Sequence, residues 1–477
     1  MAKIYSGTYG KDTTDETALV TNLLKYPEIG KKIISQYPRF SLTYLLEAAG
    51  RNAAEKVIGD YAFEWKMMGR YRKPCTINSA SNAATGAAAG STFTITFDHD
   101  TANGTYGNTL NVNDVVRFHD GSTAMVVNGG TPGASTNVVT FRSIDSSTGT
   151  VFATGDIVGP IGSAFNQGSL GSEVGQNYAY PDTYKNWLTL SRKKTKIMGS
   201  DLTDVTWIES NGHRLWYFTK EQQMTDQFMY ELECMRWYGK KSNTMTSASY
   251  PGDTGLDDVA SNFVSGIPIM GDGLLAQIDS ANQATYTAGA LTEEDIVNFI
   301  GTLSKNALNA EGNVFTVFTG TQGRIDFHRA MKDLLVNLGS GTPVFAGKGG
   351  GDVALGANFQ EYNVLGNKMI LSYCPVFDDP NLHNSISSDF SSSNESGKMV
   401  FLDMGMQNGV SNVELIAKGA EGFNRSFVKK YVPGMVNPYD YNSMMAANGD
   451  DFFECQILSE SGIILRNPLS CGVLSNS

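Results

Sequence analysis

Few residues in this 477-residue chain could do chemistry, and their spacing argues against a catalytic centre. Its five histidines (His99, His119, His213, His328 and His383) stand far apart, and no HExxH pair aims two rings at one metal. The five cysteines (Cys75, Cys234, Cys374, Cys455 and Cys471) include no CxxC pair, so neither a zinc site nor a disulfide framework follows. No GxSxG elbow presents a serine nucleophile. Gly341–Gly349 (GTPVFAGKG) has the flavour of a phosphate loop. However, five residues rather than four separate its glycines, and Gly349 stands where a Ser or Thr would hold Mg²⁺. The acidic pairs Asp378-Asp379 and Asp450-Asp451 lie beside Pro380 and Gly449, which is turn chemistry. The expectation is a protein with no catalytic residue, no cofactor and no metal.

What remains is charge and where it sits. The net charge is −12, which disfavours a dedicated nucleic-acid binder. The charge is also uneven. Residues 1–75 carry 12 basic and 8 acidic groups, and residues 185–242 carry 10 and 7. Between them, residues 76–184 carry only 2 basic and 8 acidic groups, net −6. Two short runs concentrate the cations: Lys66, Arg70, Arg72 and Lys73, then Arg192, Lys193, Lys194 and Lys196. Basic side chains on an extended strand resist edge-to-edge aggregation and suit a partner surface of opposite sign. These eight are the candidate inter-subunit contacts. Charged residues are only 18% of the chain and Gly numbers 51, as suits a β-rich protein whose surface is covered by neighbours.

The elements that must carry these residues follow from periodicity. Phe40–Ala49 reads as a short helix ended by Gly50. Lys56–Met68 is strand-like, with Tyr61, Phe63 and Trp65 at period two. Between Ile77 and Gly168 the composition shifts, and short alternating strands recur about every ten residues. Ser91–Asp98, Leu110–His119, Thr123–Val127, Val138–Ile144, Thr150–Ala153 and Ile157–Val158 together predict a small inserted β-barrel or sandwich. Asn186–Met198 then returns as a basic strand, and we expect it to pair with Lys56–Lys73 as a long hairpin carrying the insert at its tip. The strongest signal is a helix over Gly212–Lys241, with Tyr217, Met224, Phe228, Leu232, Met235 and Gly239 on one stripe. Further on, Thr292 can cap a helix, Val314–Phe318 is a buried strand, and a helix runs from about Gln322 to Leu335. Asn363–Pro375, Met399–Met404 and Val413–Ile416 read as strands. Phe452–Asn467 reads as a closing hairpin turned at Ser459–Gly462. Met1–Gly10 has no signal-peptide core, and no run approaches the ~18 apolar residues of a membrane span, so no membrane association is expected. The fold class is α+β.

Several stretches, in their order, carry a resemblance. Asn186–Ser200 (NWLTLSRKKTKIMGS), Glu231–Lys240 (ELECMRWYGK), Val112–Phe118 (VNDVVRF), Gly155–Phe165 (GDIVGPIGSAF) and Glu460–Val473 (ESGIILRNPLSCGV) are similar to segments of tailed-bacteriophage major capsid proteins with the Hong Kong 97-type fold. The stretch Tyr26–Trp65, with FSLTYLLEAAGR and FEW, resembles the crAss-like phages most. The resemblance implies an N-terminal arm (1–38) and an extended β-loop (39–75 and 182–200) lying over a neighbouring subunit. It implies an inserted β-domain (76–181), a peripheral domain (201–290 and 437–477) with the long helix as its spine, and an axial domain (291–436). The implied function is an icosahedral shell of hexamers and pentamers around double-stranded DNA, held without specific recognition. Portal, scaffold and decoration or head-fibre proteins are its implied partners, and assembly in the host bacterial cytoplasm is its implied setting. No motif here transfers the Lys–Asn crosslink of a few relatives, although Lys193, Lys194 and Lys196 lie in the analogous arm. Two other readings stay open at this point. One is an encapsulin-like protein cage, which would be expected to lack so large an insert. The other is a β-rich adhesin or carbohydrate-binding protein, which the absence of Trp from the insert disfavours.

Overall fold

A computed structural model of the chain describes residues 42–48, 57–67, 75–78, 89–98, 110–119, 121–129, 136–145, 155–168, 181–203, 205–210, 213–241, 270–305, 313–337, 361–383, 395–407, 409–420, 422–439 and 449–476. The expected N-terminal arm, the strand Thr150–Ala153, the loop Gly341–Gly349 and the residues Arg70, Arg72 and Lys73 lie outside these. The chain divides into a unit Lys66–Tyr184 and a body made of the rest. Both divisions fall inside a two-stranded ribbon, in which Ala62–Met67 pairs with Asp182–Trp187.

The unit Lys66–Tyr184 is built from alternation. Its six strands run in the order Cys75–Thr76, Ile157–Ser163, Asp114–Arg117, Thr123–Asn128, Thr136–Ser143, Thr92–Asp98, each antiparallel to the next. A bridge between Ile77 and Phe97 joins the last strand to the first, and the Asn78 amide donates to the Thr96 carbonyl at 2.9 Å. At this bridge the sheet closes on itself as a small barrel. Every second side chain points inward. Ile95, Phe97, Val116, Ala124, Val126, Val139, Phe141 and Val158 form the buried core. Phe141 lies within 6.0 Å of the rings of Phe93, Phe97 and Phe118 and anchors the centre.

The body has fifteen elements that matter here. In chain order they are α1 (Leu42–Ala48), β1 (Val57–Ile58), β2 (Thr189–Met198), α2 (Trp216–Tyr238), β3 (Gln283–Tyr286), α3 (Glu293–Ser304), β4 (Val314–Thr319), α4 (Thr321–Asn337), β5 (Glu361–Val364), β6 (Asn367–Tyr373), β7 (Met399–Asp403), β8 (Val413–Ala420), β9 (Val428–Pro433), β10 (Phe452–Leu465) and β11 (Gly472–Asn476). One sheet runs β3-β11-β7-β4-β6-β5 and is mixed, with β3/β11 and β4/β6 parallel. Strand β4 (VFTVFT) is buried on both faces, which is why it reads as a nearly continuous apolar run. Phe315 and Val317 face α3 and α4, packing with Ile296, Phe299, Ile300, Leu303, Phe327 and Met331. Phe318 faces the other way, with Val400 and Leu402 of β7, into a second core shared with α1, the end of α2 and β8. Helix α3 begins at a capping box: Thr292 Oγ1 accepts from the Asp295 amide, and Asp295 accepts from the Thr292 amide at 3.0 Å.

The second sheet runs β1-β8-β10-β2, with β9 also on β10. Its central strand, β10, is 14 residues long. The expected hairpin turn at Ser459–Gly462 is thus replaced by one continuous strand. The polar residues that suggested a turn are used as buried hydrogen-bond groups instead. Ser459 Oγ donates to the Ser426 carbonyl at 2.6 Å, and Glu460 takes the Arg425 guanidinium at 2.7 Å. The expected pairing of Asn186–Met198 with Lys56–Lys73 is corrected too. Only 182–187 joins the ribbon, whereas β2 aligns all ten of its residues with β10, from Thr189↔Ser461 to Met198↔Phe452. The reason is burial. Ile197 needs a covered face, and a free-standing ribbon has none, whereas the sheet under α2 supplies one.

Helix α2 is 23 residues, shorter than the expected Gly212–Lys241 and about 35 Å long. Met224, Phe228 and Leu232 of the predicted stripe pack on Ile197, Phe453, Cys455 and Ile457. The expectation of a single buried stripe fails towards the C-terminus, where Glu233 and Trp237 are also fully buried. Trp237 meets Phe318 and Phe377 edge-on at 5.3 and 5.1 Å. Glu233 accepts the backbone amides of Leu42 and Thr43, at 2.9 and 3.2 Å, so a carboxylate from α2 caps α1. The helix stops at Gly239, where a Cβ would stand 2.6 Å from the Met235 carbonyl oxygen and 2.8 Å from that of Gly271.

Candidate assembly surface

The sheet β9-β10-β2 has two unlike faces, set by strand alternation. Residues directly opposite in an antiparallel ladder share a face, so the registers assign every side chain. On the face under α2 lie Lys193, Thr195 and Ile197 of β2, Phe453, Cys455 and Ile457 of β10, and Lys429 and Tyr431 of β9. On the opposite face lie Leu190, Arg192, Lys194, Lys196 and Met198, then Phe452, Glu454, Gln456, Leu458 and Glu460, then Val428, Lys430 and Val432.

The covered face is locked by one carboxylate. Glu221 of α2 is buried and accepts from Tyr431 Oη at 2.7 Å, from Tyr439 Oη and from Lys429 Nζ. Burial pushes this carboxyl up. Hydrogen bonds from Lys429, Tyr439 and Tyr431, with the Lys429 charge, outweigh it and hold the group below the ordinary glutamate range. Lys429 is shifted upward: burial lowers it, but the bond to Glu221 and its charge more than reverse that. Tyr431 in turn stacks on Phe453 at 5.4 Å, and Tyr439 meets the same ring tilted, at 5.8 Å. Lys193 also works on this side, reaching Glu231 at 2.5 Å.

The opposite face is open along β2 and at Gln456 and Lys430, while Phe452, Glu454 and Glu460 on it are buried. Arg192, Lys194, Lys196, Gln456 and Lys430 are exposed, and Leu190 and Met198 are 39% and 50% exposed. Lys196 Nζ rests 3.7 Å from the Phe452 ring centroid, a cation–π contact that leaves its charge outward. The two carboxylates of this face are withdrawn. Glu460 is 2% exposed and paired with Arg425, and Glu454 is 8% exposed and accepts from the Gln456 amide.

The eight basic residues singled out in sequence therefore separate. Lys66 is exposed on the ribbon strand Ala62–Met67. Arg192, Lys194 and Lys196 share the open face, and Lys193 is turned to α2. Lys430 belongs to the same group as the first three and was missed, because Val428–Pro433 (VKKYVP) is too short to announce itself as a strand. Its adjacent lysines were the available signal, since in a strand one must face each way. The acidic pair Asp378-Asp379 serves local structure. Asp378 accepts the Thr321 amide at the start of α4, and Asp379 accepts from Tyr230 Oη and from the Asn381 amide. Among the described residues, no group of three or more His, Cys, Asp and Glu side chains is placed to hold a metal.

A family model described as Crassvirus major capsid protein matches residues 2–477. No curated protein matches the sequence. Solved structures with a similar chain include the cyanophage A-1(L) capsid asymmetric unit, at 10% identity and a TM-score of 0.39, covering 94% of this chain and 96% of that one. The Mycobacterium phage Bobi structure gives 7% identity and a TM-score of 0.38, with 96% and 97% covered. The encapsulin complex of Synechococcus elongatus gives 11% identity and a TM-score of 0.33, with 62% and 75% covered.

Proposed function

The chain belongs to the Crassvirus major capsid protein family, and from that premise we propose that it builds its shell in the Hong Kong 97 manner, as hexamers and pentamers around double-stranded DNA. As a major capsid protein it is a structural component of the phage head and not an enzyme. In the proposed arrangement, 1–38 is an N-terminal arm, and 39–75 with 182–200 forms the extended loop, whose returning strand is seated on β10 of the body over 189–198. Residues 76–181 are an insertion, 201–290 with 437–477 the peripheral domain, and 291–436 the axial domain. The observation that best supports this reading is the 23-residue helix α2 laid along one face of a sheet whose other face exposes Leu190, Arg192, Lys194, Lys196, Met198 and Lys430. A self-contained globule gains by covering both faces, whereas a subunit of a shell keeps one for its neighbours. Many such contacts acting together let each be weak while the shell is stable. Portal, scaffold and decoration or head-fibre proteins complete the proposed particle, which would assemble in the cytoplasm of its bacterial host.

The test is direct. Purified protein is followed by light scattering after size exclusion and then by electron microscopy. Capsomers or closed shells are the expected result. A chain that stays monomeric across concentration and salt, with and without a co-expressed scaffold, would overturn the reading.

A further inference from the structure

Three buried polar groups meet near the start of α4 with one hydrogen too few. Asp326 of α4 is 1% exposed, and Tyr286 of β3 and Gly397 are buried beside it. Asp326 Oδ2 lies 3.1 Å from Tyr286 Oη, and the same Tyr286 oxygen lies 2.9 Å from the Gly397 carbonyl oxygen. A carbonyl and an ionised carboxylate only accept, and a phenol has a single hydrogen to give. Both contacts are hydrogen bonds at once only if the Asp326 carboxyl carries a proton of its own. Its Oδ1 accepts from Gln322 Nε2 at 2.8 Å, one turn back on α4. Arg329 stands off: its guanidinium is 3.8 Å away, beyond hydrogen-bond reach, and its side chain is 51% exposed. The charged groups on the neighbouring segments are paired elsewhere. Lys398 Nζ meets Glu395 at 2.6 Å, and Asp378 accepts from the Thr321 amide at 2.9 Å and from Ser396 Oγ. Helix α3 and strands β4 and β6 bring apolar side chains to α4, and β11 brings the neutral amide of Asn476 against Gly397.

We propose that Asp326 is a proton-operated latch on α4. Protonated, it donates to Tyr286 Oη, which donates to the Gly397 carbonyl, and one chain of hydrogen bonds ties together α4, β3 and the turn Glu395–Gly397. When the proton leaves to solvent, the carboxylate takes the Tyr286 hydrogen and the Gly397 carbonyl loses it. Burial pushes the Asp326 carboxyl above the ordinary aspartate range, against the bonds from Gln322 and Tyr286 and the Arg329 charge, which lower it. The turn that the latch holds is the seat of α4. Ser396 Oγ accepts the Gln322 amide at 2.9 Å, in the first turn of the helix, and gives its own hydrogen to Asp378, which caps Thr321. Loosening Gly397 therefore loosens the start of α4. The sign is opposite to that of Glu221. A raised carboxyl stabilises the fold fully below its unfolded value, and that contribution is lost as pH rises through the folded one. The latch is closed in acid and opens as pH rises.

Hydrogen exchange on the purified full chain, from about pH 4 to about pH 9 and corrected for the intrinsic rate, reads the latch. The amides of Gln322 and of 396–398 are expected to exchange about five-fold faster once the proton is lost, the effect of one hydrogen bond, while barrel amides keep their rate. Asp326→Asn copies the protonated form, because its Nδ2 donates to Tyr286 and its Oδ1 still accepts from Gln322. It is expected to hold the slow rate across the range. Tyr286→Phe removes the shared hydrogen and is expected to show the fast rate throughout. Circular dichroism establishes that each variant is folded. The infrared difference between wild type and Asp326→Asn is expected to hold a protonated-carboxyl band that persists above the ordinary aspartate range and fades as pH rises further. The proposal is overturned if the pH dependence survives in Asp326→Asn, or if that band is absent. Should a variant fail to fold, the wild-type profile decides alone: a constant rate at these amides across the range overturns the proposal.

Discussion

The barrel and the body solve the same burial problem in opposite ways. The barrel closes one sheet on itself. Its core is apolar apart from Asn137 among the described residues, and some of its strand pairs join segments near in sequence, such as Val115↔Met125 and Val116↔Ala124. The body is stitched from distant segments, with β2 on β10 some 260 residues later and α1 capped from α2 by Glu233. It buries charged groups as well, including Glu221, Glu233, Glu414 and Glu460. The difference shows what each part can tolerate. A sheet that closes on its own core can be carried as a passenger. A body held by paired buried charges is specific in register but costly to disturb, because removing one partner strands the other.

Substitutions in the two cores should separate the regions most sharply. Trp237→Ala should cost about 4 kcal/mol and lower the unfolding transition of the body, with hydrogen exchange in the barrel peptides unchanged. Phe141→Ala should cost about 3 kcal/mol and do the reverse, exposing barrel amides while α2 stays protected. A single shared transition shifted by both would break the comparison. Next, Glu221→Gln should cost about 2 kcal/mol at neutral pH. The folded Glu221 titrates below its unfolded value of about 4.3, so its contribution is present above that pH. It is lost as pH falls through the depressed folded value. Chemical denaturation from pH 7 to pH 3 should therefore show a shallower loss of body stability in the variant than in wild type. Thr292→Ala should remove one helix cap and cost about 1 kcal/mol, read from the same denaturation curves. Lys193→Ala should cost no more than about 0.5 kcal/mol, since its partner Glu231 is half exposed.

Legibility followed the same divide. The barrel strands could be read because inward Phe and Val alternate with outward Thr, and each turn lies between the strands it joins. Strand β4, helix α3 with its Thr292 cap, and the Met224–Phe228–Leu232 stripe could be read for the same local reason. The partner of β2 could not. Charge resemblance pointed to Lys56–Lys73, but what decides the pairing is the apolar side chain of Ile197 meeting α2, a contact no local pattern encodes. Strand β10 was split in the reading because Ser459, Glu460 and Gly462 mimic a turn. Their real use depends on Ser426 and Arg425, more than thirty residues earlier. The basic residues were found as a run, but a run has two faces in a strand. Only the register divides Arg192, Lys194 and Lys196 from Lys193.

The measurement that bears most directly on this account is a cryo-electron-microscopy reconstruction of particles assembled from the wild-type chain. The account predicts neighbouring-subunit density against Arg192, Lys194, Lys196 and Lys430. A shell in which this face lies bare to solvent or lines the lumen would contradict it.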